Sequence, residues 1–140
     1  MSTNYVEIQM TYEGDLRSRA VHGPSKTELL MDAPVDNHGK GESFSPTDLV
    51  ATALGGCMAT VMGIFAKRHE IDLRGMRIQV RKEMVADPLR RIARLSTEIH
   101  MPLAADHPHR AALENAAHTC PVHRSLGPDV DKPVVFHWKA

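Results

Sequence analysis

Apolar residues in the first third of the chain alternate with polar ones. Over residues 5–14, Val6, Ile8, Met10 and Tyr12 occupy every second position, the period of a half-buried strand. Glu13-Gly14-Asp15 supplies a turn, and 17–22, RSRAVH, returns as a second strand. His22-Gly23-Pro24 breaks the pattern again, and 26–34, KTELLMDAP, reads as a third strand. Short strands on tight connections predict an antiparallel meander. Residues 35–44, VDNHGKGESF, have the Gly, Asn and Asp content of a loop, and loops in such positions often shape sites.

The period then lengthens to that of a helix. In Ser45-Pro46-Thr47-Asp48, Ser45 can cap, Pro46 suits the first helical position, and Asp48 suits the positive end of the helix dipole. Lys67 and Arg68 suit the negative end. A helix of about 23 residues is roughly 35 Å long and is expected to run through the centre of the fold. Val50, Ala53, Leu54, Cys57, Val61 and Ile64 fall on one face, which would turn Cys57 inward. Residues 49–66 carry no charge, which reaches the lower limit for a membrane span. Their Ala, Gly and Thr content favours a soluble helix buried on most sides, so no membrane partner is expected.

After the helix, Met76, Ile78 and Val80 alternate in 76–87, and Leu95, Thr97, Ile99 and Met101 alternate in 93–103. With Asp87-Pro88 and its neighbours between them they form a long hairpin. Residues 107–119, HPHRAALENAAHT, predict a second helix beginning near Pro108, with Ala112, Ala116 and, at its end, Thr119 on one face. Cys120-Pro121 ends it, 121–126 can form a short helical turn, and 132–138, KPVVFHW, closes as a last strand. No internal repeat or linker appears, so a single domain over 1–140 is expected.

Composition narrows the possibilities. Lys+Arg and Asp+Glu both number 17, and no basic stripe interleaved with aromatics is present, which argues against a nucleic-acid partner. The basic cluster in RKEMVADPLRRIAR is interrupted by Glu83 and Asp87. Aromatics make up only 4% of residues, so the core rests on smaller side chains, and help from a partner subunit is plausible. The N-terminus lacks a basic region followed by an apolar run, so a cytoplasmic location is expected. Two cysteines in a reducing compartment are then inert core groups, metal ligands or redox-active groups rather than a structural disulfide.

Gly55 and Gly56 precede Cys57 directly. Each interior glycine costs a helix about 1 kcal/mol relative to alanine, so their placement suggests close approach of another element or access to the sulfur. Cys120 stands at the start of a helical turn, where the dipole favours a thiolate. If the two predicted helices pack together, the cysteines can serve as a nucleophile and its resolving partner. Arg17 and Arg19 are the candidate cations for Cys57, and Asp48 is the candidate carboxylate. His118, Cys120 and His123 lie close in HTCPVH, as do His107 and His109 in HPHR, but neither matches the paired spacing of structural zinc. No metal or organic cofactor is assigned.

SPTDLVATALGGC, followed later by AAHTCPVHRSL, resembles the OsmC/Ohr family of peroxide-reducing proteins, and the order of elements is similar along nearly the whole chain. The resemblance implies an α+β fold with antiparallel sheets wrapped around two central cysteine-bearing helices in an intertwined homodimer. It implies a thiol peroxidase acting on organic hydroperoxides and less well on hydrogen peroxide. Cys57 would attack, Cys120 would resolve, and a dithiol would reduce the product. The family also uses an arginine, for which Arg17 is favoured over Arg19, and a glutamate near the helix start. Thr47 stands at the place of that glutamate, with Asp48 one residue later. The alternative is an OsmC-like small-ligand binding or redox-sensing protein with little peroxidase turnover.

Overall fold

The tight turn at Asp15-Leu16 sets the first sheet. Both residues have left-handed backbone, φ 53° and 62°, which matches the right-handed twist of a two-residue hairpin. The computed structural model describes residues 4–140 and divides into two compact units, Met1–Leu49 and Val50–Ala140.

In the first unit, β1 (Ile8–Gly14), β2 (Arg17–His22) and β3 (Glu28–Asp32) form a three-stranded antiparallel sheet in that order. The register sets Arg17 opposite Asp32 and Arg19 opposite Leu30. The following segment carries one 3-10 turn, Val35–Asn37. It is tied back by the Asp32 N–H to the Phe44 carbonyl at 3.0 Å and by the Ser43 hydroxyl to the Leu30 carbonyl at 2.9 Å. β1 forms where the pattern predicts it but shows no alternation of burial: Ile8, Met10 and Tyr12, with Val6 just before the strand, are exposed within this chain rather than half-buried.

Helix α1, Pro46–Arg68, links the two units. Its start is a reciprocal cap. The Asp48 N–H donates to Ser45 Oγ at 3.0 Å, and the Ser45 N–H donates to Asp48 Oδ2 at 2.9 Å, so two otherwise orphaned donors are satisfied. Its end turns through Glu70 at φ 56°, with the Ile71 N–H on the Ala66 carbonyl at 2.8 Å.

In the second unit, β4 (Arg77–Val85) pairs antiparallel with the long β5 (Arg91–Ala104). β6 (Val134–Lys139) pairs parallel with β5, which departs from the all-antiparallel expectation. The crossover from β5 to β6 carries α2 (Arg110–His118) and α3 (Pro121–Ser125). A helix-bearing connection returns the chain to the same end of the sheet, and that permits parallel pairing. α2 begins at Arg110 rather than near Pro108; the preceding turn is closed by the His109 N–H on His107 Nδ1 at 3.1 Å.

Leu95, Thr97, Ile99 and Met101 of β5 are buried in alternation, as their spacing predicts. Leu95, Ile99 and Met101 join Leu54, Met58 and Met62 of α1 and Leu113 and Ala117 of α2 in one core. The Thr97 hydroxyl has no hydrogen-bond partner among the described residues. The Trp138 indole N–H donates to Glu114 Oε2 at 2.8 Å, and the Arg110 guanidinium lies over the same ring, which fastens β6 to α2.

Candidate active site

The buried face of α1 consists of Ala51, Leu54, Gly55, Met58, Met62 and Ala66. This face is rotated from the expected one: Ala53 and Ile64 are exposed, and Cys57 is half-buried at the flank instead of pointing into the interior. The rotation follows from Gly55. A Cβ there would stand 3.0 Å from Val80 Cγ2 and 3.3 Å from Ile78 Cγ2. The missing side chain therefore lets β4, a strand rather than another helix, press against α1 directly before the cysteine. A Cβ on Gly56 would meet nothing within 4 Å, so the backbone beside Cys57 is open.

Cys120 caps α3 and is 0% exposed. Its sulfur accepts the His123 N–H at 3.4 Å. Both cysteines are free thiols. The two side chains are adjacent: burial pushes the Cys120 thiol above its ordinary value, and the neighbouring Cys57, as hydrogen-bond partner and as a second negative charge, raises it further. The backbone N–H groups of His123 and Val122 act in the opposite direction and offset part of this. The expectation that the helical turn would make Cys120 acidic is thus reversed, because desolvation outweighs the local dipoles.

Arg17 clasps Asp32 with two bonds, Nε to Oδ1 at 2.6 Å and a terminal nitrogen to Oδ2 at 2.8 Å, and it reaches Glu42 at 2.8 Å. The Glu42 N–H also donates to Asp32 Oδ2 at 3.1 Å. These contacts raise the Arg17 pKa and hold the Asp32 carboxyl below its usual range. Arg19 pairs with Glu13 at 2.8 Å and Glu28 at 3.1 Å. Asp48 serves the α1 cap and, with Gly41, Glu42, Ser43 and Phe44, lines an open cavity of about 380 Å³. The Thr47 hydroxyl lies 3.2 Å from that of Ser45.

Asp32 and Glu42 were not among the residues singled out from the sequence. Asp32 had no local signal, since the register that sets it opposite Arg17 runs between β2 and β3 across the longer connection 23–27 rather than a two-residue turn. Glu42 approaches from the loop and had none. Among the described residues no group of three His, Cys, Asp or Glu side chains is placed to hold a metal. The His118 and His123 rings meet edge to face with centroids 6.2 Å apart, and burial lowers the His123 pKa. By length and composition α1 could cross a membrane, but six of its residues pack into the core.

Two sheets, a long helix bearing one thiol and a buried second thiol beside it define an α+β protein of the OsmC-like type. Residues 39–132 match the family described as OsmC-like protein. A solved structure from Psychrobacter arcticus 273-4, described as an osmotic stress induced and detoxification response protein, is 44% identical. It is covered over 98% of both chains with a TM-score of 0.87. An organic hydroperoxide resistance protein OsmC from Legionella pneumophila is 16% identical, with 98% of this chain and 99% of that chain covered and a TM-score of 0.77. An organic hydroperoxide resistance protein from Elizabethkingia anophelis is 14% identical, with 99% and 100% covered and a TM-score of 0.74. The last two are similar in fold. No curated protein matches the sequence significantly. This chain belongs to the OsmC family.

Proposed function

We propose that the protein is a thiol-dependent peroxidase that reduces organic hydroperoxides, and hydrogen peroxide less well. The observation that carries the reading is the adjacency of two free thiols of unequal access, Cys57 half-buried and Cys120 fully buried. The Cys57 thiolate attacks the terminal peroxide oxygen, the O–O bond breaks, and the alkoxide leaves with a proton as the alcohol. Cys57 becomes a sulfenic acid. Cys120 displaces hydroxide from it, giving water and a Cys57–Cys120 disulfide. A dithiol returns both sulfurs to thiols and is itself oxidised. A cytoplasmic location would supply such a reductant. Arg17 is the cation assigned to the Cys57 thiolate, and Asp48 the carboxylate, both by family resemblance. No metal or organic cofactor enters the scheme.

The working form in this reading is a homodimer. Ile8, Met10 and Tyr12 of β1 are 53%, 64% and 65% exposed in the single chain, an apolar face that a second copy would cover. Sedimentation is expected to give twice the 15.5 kDa chain mass.

The test is peroxide consumption with a dithiol reductant. Cys57→Ser should abolish turnover, and Cys120→Ser should leave the first oxidation of Cys57 intact while slowing turnover, because the sulfenic acid then waits for the external dithiol. Full activity in Cys57→Ser rejects the assignment.

A second reading has its own support. Arg17 is already neutralised by Asp32 and Glu42, Asp48 is engaged in the helix cap, and Thr47 stands in place of a carboxylate. A protein so arranged would be a small-ligand binder or redox sensor with little turnover. Stopped-flow oxidation of Cys57 at the rate of a free thiol would favour it.

A further inference from the structure

We infer that His100 and His137 form a chelating site for one divalent transition-metal ion, copper(II) most tightly, on the face of the second sheet turned away from the core. The site uses neither thiol and stands apart from the peroxidase reading.

Strand register makes the pair. β5 and β6 run parallel, and His100 stands directly opposite His137. The neighbours of His100 along β5, Ile99 and Met101, are buried, so alternation turns His100 outward. Phe136 and Trp138 pack toward the core, and His137 between them is exposed. The two imidazoles stack with centroids 4.6 Å apart and planes 14° from parallel. This is the closest of the His–His ring contacts among the described residues, and both rings stand on paired strands rather than at helix ends. The dimer reading rests on the β1 face of the other sheet, which holds neither histidine.

Glu98 sets the tautomer of His137. Its carboxylate lies 2.9 Å from His137 Nε2, and that hydrogen bond lowers its pKa. An ionised carboxylate can only accept, so Nε2 carries the proton and donates. The neutral ring then keeps its lone pair at Nδ1. Metal-binding histidines commonly have their second nitrogen fixed by a carboxylate in this way. At the other histidine cluster, by contrast, His107 Nδ1 already accepts the His109 N–H.

The span fits a metal. Two nitrogens bound at about 2.0–2.1 Å lie at most about 4.2 Å apart. Rings stacked at 4.6 Å reach that spacing by tilting their nitrogen edges together about χ2, a soft torsion in histidine. The strands need not move. Once one imidazole holds the ion the second is already at hand, so the pair outbinds a lone surface histidine. No third donor is placed with them, so water completes the coordination shell.

The surroundings choose the class of ion. Arg77 stands opposite His100 on β4, and the positive charge of Arg81 acts on Glu98. Magnesium and calcium ask for several oxygen ligands and would meet imidazoles and guanidinium groups instead. A transition metal gains direct bonds to imidazole nitrogen that outweigh screened surface repulsion, and copper(II) gains most.

The experiment titrates copper(II) chloride, below one equivalent, into the full chain labelled with nitrogen-15 and carrying Cys57→Ala and Cys120→Ala, so that no thiol competes. Amide signals of His100, His137 and their strand neighbours are expected to broaden first. Broadening that begins at His69, His107 and His109, or evenly at all histidines, overturns the inference. By calorimetry, His100→Ala and His137→Ala should each bind copper at least about tenfold more weakly. Glu98→Ala should weaken binding about tenfold, and Glu98→Gln, which still accepts from Nε2, should restore most of it. Unchanged affinity in either histidine variant, or equal losses in the two Glu98 variants, contradicts the arrangement. A second measurement keeps the native thiols. On a nickel-charged iminodiacetate column, the reduced wild type and His22→Ala should need the same imidazole concentration to elute, and His100→Ala and His137→Ala should need less. Elution of all four together contradicts the site.

Discussion

Arg17 grips Asp32 through two parallel hydrogen bonds, and Asp32 in turn accepts the N–H of Glu42. One buried carboxylate thereby joins β2, β3 and the loop leading into α1. The Asp32 carboxyl is held below its ordinary value by Arg17, so the folded state binds its proton less readily than the unfolded chain does. The stabilisation is therefore fully present above the ordinary carboxyl value of about 3.9 and is lost as pH falls through the lowered folded value. Asp32→Asn should lower the thermal midpoint at neutral pH and flatten its acid decline. A variant whose acid decline matches the wild type would show that other carboxylates control it.

The two glycines before Cys57 should respond oppositely to alanine. At Gly56 a Cβ meets nothing within 4 Å, so Gly56→Ala should stabilise by up to about 1 kcal/mol through helix propensity. At Gly55 a Cβ would press on Val80 and Ile78 of β4, and crowding of this kind costs about 1–3 kcal/mol. Denaturant midpoints should place Gly55→Ala below Gly56→Ala. The reverse order would mean that β4 yields without cost.

Thr97 sits in the core with its hydroxyl unsatisfied among the described residues. Valine has the same shape without the polar atom. Thr97→Val should raise stability by about 1 kcal/mol, because no hydrogen bond is lost and a desolvation penalty is removed. A loss of stability on chemical denaturation would contradict this reading of the site.

Resolution of the Cys57 sulfenic acid should depend on pH through Cys120. Its thiol is raised by burial and by Cys57, and the attacking species is the thiolate. The rate of disulfide formation should therefore climb past neutral pH and still be rising at the ordinary thiol value of about 8.5. A plateau below that value, seen by pH-jump trapping of the sulfenic acid, would argue against Cys120 as the attacking group.

Local features of this fold were legible in the sequence. Ser45, Pro46 and Asp48 announce the start of α1, and the alternation from Leu95 to Met101 marks the buried side of β5. The orientation of α1 was not legible. Apolar and small residues surround it almost completely, so period alone could not choose between a face through Leu54 and Cys57 and the observed one through Leu54, Met58 and Met62. Parallel pairing of β6 depends on where a long crossover lands, which no local pattern encodes. The partners of Arg17 come from a neighbouring strand and a loop, so their approach is set by tertiary register. The adjacency of Cys57 and Cys120 likewise arises from packing of distant segments, so the sequence offered it only on the condition that the two predicted helices meet, and family resemblance then added to it.

The central claim is that these two thiols form one redox unit. It is tested most directly by adding one equivalent of an organic hydroperoxide to the reduced protein and mapping its peptides. Both free thiols should disappear together, with a Cys57–Cys120 linked peptide formed much faster than free thiols oxidise. Slow oxidation, or an overoxidised Cys57 with Cys120 still free, would contradict it.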